Sequence, residues 1–519
     1  MYRFLKAALP FGLLALFLGH LADPGALLAT RDVPIFHLPL RTALKQVVEF
    51  GAPVWNPMIH GGQPILSNPN YAAFYPPTWL LLLIPVHYSI GLIILLHAGI
   101  GFAGARRFAR HLGCAEGPAL MAGIGFAFGG ATLATTSLLT TFCGLAWMPW
   151  ILYGCDRWFA EAGRALNLRL AALPSAAFAA QILAGEPVIV LTTGLAAVSL
   201  ALTAETHRAH KTARLVAISA VAVLLASAQL IPTYARLEGS ARAEGLDRDE
   251  TLEWSAHPRR VIELLWPRAW GDPMRIDEDL YFGWSVHDRQ FPYLYSLYPG
   301  QLTVLLAFAA LARWKIRHRL AWLAMIGGGL FLGAGAYNPL LLWLGRTTSV
   351  LSQIRYPEKL LLLSTVALVF AAALGWQRLL DARTEGDVPL EDFPVALAAT
   401  LTGINMLLLI VLWKRPDVGE WFARTNSVLP LDAETQRHAA TFLREELVTA
   451  LIVSTASIVI FALHRWRSVP RLVLVPLTLA LLVGDLYWYN RGLTPTVPAV
   501  DVMRPPAPLT TAGGDGERI

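Results

Sequence analysis

Charge is what this 519-residue chain has least of: only 15% of its positions are Asp, Glu, Lys or Arg. A soluble domain carries about 25%. With 55% hydrophobic residues and a mean hydropathy of +0.49, a soluble multidomain protein is excluded. Cysteine is nearly absent as well. Cys114, Cys143 and Cys155 show no C-x-x-C spacing and no even count, which excludes a disulfide framework and a thiolate metal site. They read as small core residues. No HExxH, P-loop, GxSxG or GxGxxG motif appears, so metalloprotease, ATPase, serine hydrolase and dinucleotide chemistry lack support. Lys/Arg runs are missing too, and the surplus of 42 basic over 36 acidic residues reports membrane topology, not nucleic acid.

Apolar runs recur along the whole chain. Candidate spans lie at 8–28, 88–108, 117–137, 141–156, 168–185, 187–204, 212–233, 296–312, 320–336, 357–377, 394–413, 446–463 and 470–489. They predict an all-α polytopic membrane protein with about 13 transmembrane helices. The first apolar stretch follows Arg3 and Lys6 without a small-residue cleavage site, and reads as an uncleaved helix. With a cytoplasmic N-terminus, the short inner loops carry Arg106, Arg107 and Arg110, then Arg157 and Arg164, then Arg313, Lys315 and Arg317. Outer turns near 138–140 and 186 carry none, as the positive-inside rule requires. The C-terminus then falls outside. Long outer segments are 29–87, 234–295 and 414–445, and the apolar stretch 337–356 is expected to dip back towards the membrane. The expected division is a membrane domain over 1–490 and a short extracytoplasmic tail over 491–519.

Polar groups concentrate outside, and most of all in residues 30–77. There Phe36, Leu40, Leu44, Val47 and Val48 recur at helical spacing, with Arg41, Lys45 and Glu49 on the other face. Residues 35–50 therefore predict an interfacial amphipathic helix. Trp55, Asn56, His60 and the following glycines read as a turn-rich platform, with Tyr75 among aromatics suited to a membrane belt or a sugar surface. His37, Arg41, Trp55, Asn56, His60 and Tyr75 are the candidate substrate-binding residues. Asp32 stands where the first span ends. A carboxylate there can take a proton from an acceptor hydroxyl, or hold a divalent cation such as Mg or Mn; the plain alternative is a salt bridge to Arg31. Glu186, in the turn Ala184-Gly185-Glu186-Pro187, is the second candidate catalytic carboxylate. Arg242, Arg355 and Lys359 are candidate phosphate clamps, because guanidinium forks match phosphate oxygens; Arg355 could instead pair with Glu358. The aromatics and carboxylates of 250–295 would suit carbohydrate.

Five stretches occur in a recognisable order: Asp32 with FHLPLRTAL, the WNP and GG-x-P turns and FYPP; AGEP; QLIPT with EGSAR; YPGQLTVLLAFAAL; and RYPEKLLLLSTVALVFAAALG. This order resembles the YfhO family of bacterial membrane proteins, which is similar to the GT-C glycosyltransferases. The resemblance implies a GT-C-like fold and a place in the bacterial cytoplasmic membrane. It also implies transfer of a sugar from a polyprenyl-phosphate-linked donor to an envelope glycan or teichoic-acid-like acceptor. It places Asp32 at the acidic motif of the first outer loop. Two departures stand out: Arg31 precedes a single acid, and the chain stops where family members continue into a soluble outer domain. A transporter or flippase of a lipid-linked glycan, or a non-catalytic envelope scaffold, is the alternative. Scarce mid-span charge and the lack of a clear internal repeat speak against transport.

Overall fold

The structure is a computed structural model of the chain. It describes all residues except 1, 50, 52–54, 60, 162–167, 204–206, 238, 240–246, 279, 348–354, 386–387, 429, 467 and 505–519. The chain is an all-α, multi-pass bundle of the membrane type. Each of the thirteen apolar stretches contains helix. Among the described residues six helices are long and apolar enough to cross a membrane: Val86–His111, Glu116–Ser137, Pro357–Arg383, Glu391–Lys414, Ala433–Arg465 and Arg471–Leu493. A seventh arises if Arg208–Leu225 and Ser227–Leu237, bent by 81° at Ala226, count as one. The apolar helices Ala8–Ala22, Arg169–Leu183, Pro187–Leu202, Gln301–Arg313 and Arg319–Gly333 are shorter than the roughly 20 residues that a bilayer core requires.

Small residues set the spacing of the central helices. A Cβ on Gly101 would sit 2.7 Å from the Phe126 ring, so Val86–His111 lies directly against the Glu116–Phe128 helix. That closeness suits lipid, where helix pairs gain from packing and not from water expulsion. The Pro357–Arg383 span is almost wholly enclosed, whereas Glu391–Lys414 presents most of its apolar surface outward.

Sidedness is coherent. At one end of the bundle Asp156 accepts from Arg317 (2.6 Å), His318 (2.9 Å) and His111 (3.1 Å). Arg106 pairs with Glu116 nearby at 2.6 Å. These residues all come from connections that charge assigns to one side. Asp32, Glu186, Arg355 and Lys359, assigned to the opposite side, also come together.

Several sequence boundaries shift. Residues 296–300 are extended, and the helix begins only at Gln301. Pro299 and Gly300 (φ 95°) prevent an earlier start, and the Asp485 carboxylate accepts from the Gln301 N–H at 3.0 Å to cap the helix from outside. The expected loop 414–445 is largely helical, comprising Pro416–Asn426 and the first turns of Ala433–Arg465. In 337–356 a short helix, Pro339–Thr347, precedes residues outside the described set. Past the last span, Thr496–Pro498 pairs antiparallel with Ala26–Leu28, and Ala29 donates to the Pro495 carbonyl at 2.9 Å. Residues on both sides of the bundle's sequence therefore fix the strand that leads into Asp32. The three cysteines are buried and unbridged.

Candidate functional site

The first outer segment builds a platform upward from its turns. Pro34 and the short π-turn Val33–His37 lead into the helix Leu38–Glu49. The apolar face of that helix, through Leu40, Ala43 and Leu44, closes on Ile65, Tyr71 and Leu81. Arg41 is not on the polar face. It is buried and donates to the Tyr71 carbonyl, and burial lowers its pKa to about 10. The helical period slipped because the segment is covered on a second side by its own loop. Asn56 is likewise a strut: it donates to the Tyr71 hydroxyl at 2.8 Å and accepts from the Met58 N–H at 2.9 Å. Trp55 is 52% exposed and lies against Gly62, where a Cβ would approach its ring to 2.6 Å. Tyr75 is buried between His97 (2.5 Å) and the Trp147 N–H (2.7 Å). His37 accepts from the Leu139 N–H at 3.1 Å, and burial followed by the Arg41 charge lowers its pKa to about 3. His60 lies outside the described residues, as does Arg242.

Asp32, Glu186, Lys359 and Arg355 gather around two tyrosines absent from the sequence reading. Residues 292–300 are buried and belong to neither helix nor strand, so their backbone needs partners. Glu358 supplies them: it accepts from the Leu294 N–H at 2.6 Å and the Tyr293 N–H at 3.4 Å. Arg260 donates to the Leu294 carbonyl at 2.8 Å, bonds Glu358, and grips Glu263 through two bonds of 2.7 and 2.8 Å. This buried triad fixes Tyr293 and the turn Pro357–Leu360 to each other.

Upon that frame sits the site. Lys359 Nζ is 2.8 Å from Glu186 Oε2 and lies over the rings of Tyr293 (5.4 Å) and Tyr356 (5.3 Å). Glu186 also accepts from Thr141 and from the Val188 N–H, capping the helix Pro187–Leu202. Arg355 does not pair with Glu358, which Arg260 already occupies. It meets Glu253 at 2.8 Å and flanks the Tyr356 ring at 4.7 Å. Tyr356 itself holds a left-handed φ of 64°, a conformation that side chains seldom adopt without being over-determined by their surroundings. Arg31, also left-handed at φ 46°, donates to the Tyr293 carbonyl. Its guanidinium lies over Tyr293 (4.8 Å), Trp254 (5.6 Å) and Tyr295 (5.6 Å).

Asp32 is half-buried beside these groups. Among the described residues its carboxylate has no ion pair within 4.0 Å and no hydrogen bond, so the alternative, a salt bridge to Arg31, is not made. Burial raises its pKa, while the charges of Arg31 and then Lys359 oppose the rise. The arrangement is a partly desolvated carboxylate beside cations and phenol rings, a setting suited to accepting a proton. Among the described residues no three His, Cys, Asp or Glu cluster to hold a divalent cation, and the charges nearest Asp32 are positive.

Part of the aromatic segment 250–295 is scaffold: Trp270 stacks on Phe422 at 5.5 Å, and His287 meets the Tyr281 hydroxyl at 2.7 Å. Trp254, Tyr293 and Tyr295 of this segment reach the Asp32 cluster, all three under the Arg31 guanidinium. The sequence signal missed was PYLYSLYPG, whose Tyr293 and Tyr295 alternate as in an extended segment.

No described protein family matches the chain, and no curated protein does. Among solved structures, the apo form of ArnT from Cupriavidus metallidurans is 12% identical with a TM-score of 0.49, covering 95% of this chain and 76% of its own. The same protein bound to undecaprenyl phosphate gives 13% and 0.46. A cryo-EM structure of the arabinofuranosyltransferase AftD from mycobacteria gives 19% and 0.46, over 73% of this chain. This chain spans only a quarter of AftD's length, at 25%. These are likenesses of shape at low score, and the functional reading rests on the chain's own residues.

Proposed function

We propose that the chain is a membrane glycosyltransferase of the GT-C type, moving a sugar from a polyprenyl-phosphate-linked donor to a hydroxyl of a bacterial envelope acceptor. The observation that carries this reading is Asp32: a desolvated carboxylate without an ion pair, facing cations and aromatic rings at one end of a membrane bundle. Asp32 accepts the proton of the acceptor hydroxyl. The acceptor oxygen forms the new bond to the anomeric carbon as the carbon–oxygen bond to phosphate breaks, and polyprenyl phosphate leaves with the electron pair. Trp254, Tyr293 and Tyr356 offer faces for the sugar. Glu186 and Lys359 neutralise each other and hold the tyrosines in place. A cavity of about 340 Å³ is lined by Arg260 together with Val261, Leu264, Leu330, Phe331 and Leu361, and suits part of an isoprenoid chain. The site end faces the outside of the cytoplasmic membrane in this reading. The sugar and the glycan or teichoic-acid-like acceptor remain to be identified by mass spectrometry of envelope glycans from a deletion strain.

The test is lipid-linked sugar turnover by purified protein in nanodiscs. Asp32→Asn is expected to lower the rate about 10²–10⁴-fold, the usual loss of a general base. Undiminished turnover would sink the assignment. Movement of lipid-linked glycan across liposomes without sugar transfer would favour the flippase instead.

A further inference from the structure

We propose that Arg31 is the group that receives the anionic phosphate at this site. This inference rests on the reading of the site as one for a phosphate-bearing donor. Every other described cation of the cluster is already committed to a carboxylate. Lys359 is 2.8 Å from Glu186, Arg355 is 2.8 Å from Glu253, and Arg260 is clasped by Glu263 and Glu358. Extracting any of them to serve a phosphate would strand a carboxylate, at a cost of several kcal/mol where the pair is buried.

Arg31 is different in kind. Among the described residues it has no carboxylate within 4.0 Å, and the one hydrogen bond it gives goes to the Tyr293 carbonyl. Three aromatic faces hold its guanidinium by cation–π attraction, which fixes the plane without using the N–H donors. Five donors in a rigid fork, one engaged, leave an edge that matches two phosphate oxygens. The side chain is partly exposed, so a ligand can reach it. The left-handed backbone at φ 46° points to a position set by its surroundings. A phosphate at Arg31 would lie beside Asp32, the next residue, which is where a leaving group must be if Asp32 takes the acceptor's proton. It would also offset the cation that now favours the ionised Asp32, making that carboxylate more basic once the donor is bound.

The experiment is equilibrium binding of undecaprenyl phosphate, undecaprenol and inorganic pyrophosphate to the full chain in detergent. Arg31→Gln is expected to weaken undecaprenyl phosphate at least about tenfold, as loss of a charge-assisted pair does, and to leave undecaprenol unchanged. Arg31→Lys should fall between, since it keeps the charge but not the fork. Arg355→Gln should change binding less than about threefold. Pyrophosphate binding that needs Arg31, without undecaprenyl phosphate binding, would support the anion site while overturning the lipid-donor reading. Loss at Arg355→Gln equal to that at Arg31→Gln, or none at Arg31→Gln, would overturn the inference. Should Arg31→Gln not fold, phenylglyoxal modification of the wild-type protein decides: bound undecaprenyl phosphate must protect Arg31, and equal modification with and without it counts against the proposal.

Discussion

Lys359 Nζ lies 2.8 Å from Glu186 Oε2, joining the start of one span to a turn 173 residues earlier. Both side chains are nearly enclosed, at 6% and 11% exposure, so neither charge can turn to water when the other is lost. Glu186→Gln or Lys359→Met alone is expected to cost about 3–5 kcal/mol. The double replacement should recover much of that, since an uncharged pair leaves no stranded charge. Thermal unfolding of the four proteins in detergent checks this, and additive losses would show that the pair is not coupled.

Asp32 carries the opposite expectation. Its pKa is raised in the folded chain, so its contribution to stability is present at low pH and is lost as pH rises through the folded value. The ionised side chain therefore strains the fold, and Asp32→Asn should raise the melting temperature while lowering turnover about 10²–10⁴-fold. The wild-type rate should fall on acidification at a pH above the usual value of an aspartate. A variant that is both inactive and less stable would contradict this.

His37 bears on acid stability. Burial holds its pKa near 3 against about 6.5 unfolded, so the folded chain resists a proton that the unfolded chain accepts. The stability it contributes is full above about pH 6.5 and is lost as pH falls from there towards 3. His37→Gln can still accept from the Leu139 N–H and does not titrate. Its unfolding midpoint should depend less on pH between about 6.5 and 4 than that of the wild type.

Gly185 tests how the turn at Glu186 seats on the first outer segment. Its φ is 95°, and a Cβ there would lie 2.3 Å from the Pro69 carbonyl oxygen. Gly185→Ala should lower stability by more than about 1 kcal/mol, from left-handed strain together with the backbone clash. Turnover should fall as well, because Lys359 loses its anchor. Unchanged melting would mean that the turn and the platform are not in contact.

The triad at Glu358 makes the last prediction. Glu358→Gln leaves Arg260 short of a charge and weakens the grip on the Leu294 N–H. A loss of about 3–5 kcal/mol is expected. Proteolytic cleavage should rise first near residues 292–300, whose backbone depends on that carboxylate.

Apolar runs and the placement of Lys and Arg were enough to read a polytopic helical membrane protein and to assign residues to its two ends, because each helix must satisfy its own backbone in lipid. The meeting of Asp32, Glu186, Arg355 and Lys359 agrees with that assignment. Asp32 was legible because a carboxylate at the mouth of a span is costly. Who partners whom was not. Arg41 reads as a surface residue by helical period yet is buried, and Arg355, a candidate phosphate clamp whose spacing offered Glu358 as the alternative partner, finds Glu253. Pairing depends on which elements pack together, and period and spacing describe only one element at a time.

By itself, then, the sequence determined the fold class and the gathering of polar residues into two groups, since hydropathy and charge act locally along the chain. The tertiary structure alone decided which cations are spent and which is not. It buried the irregular segment at Tyr293, gave Glu358 and Arg260 to that backbone and Glu186 to Lys359, and left Arg31 over three rings beside Asp32. A buried charge takes its counter-charge from whatever the packing brings within reach, and that is a property of the fold.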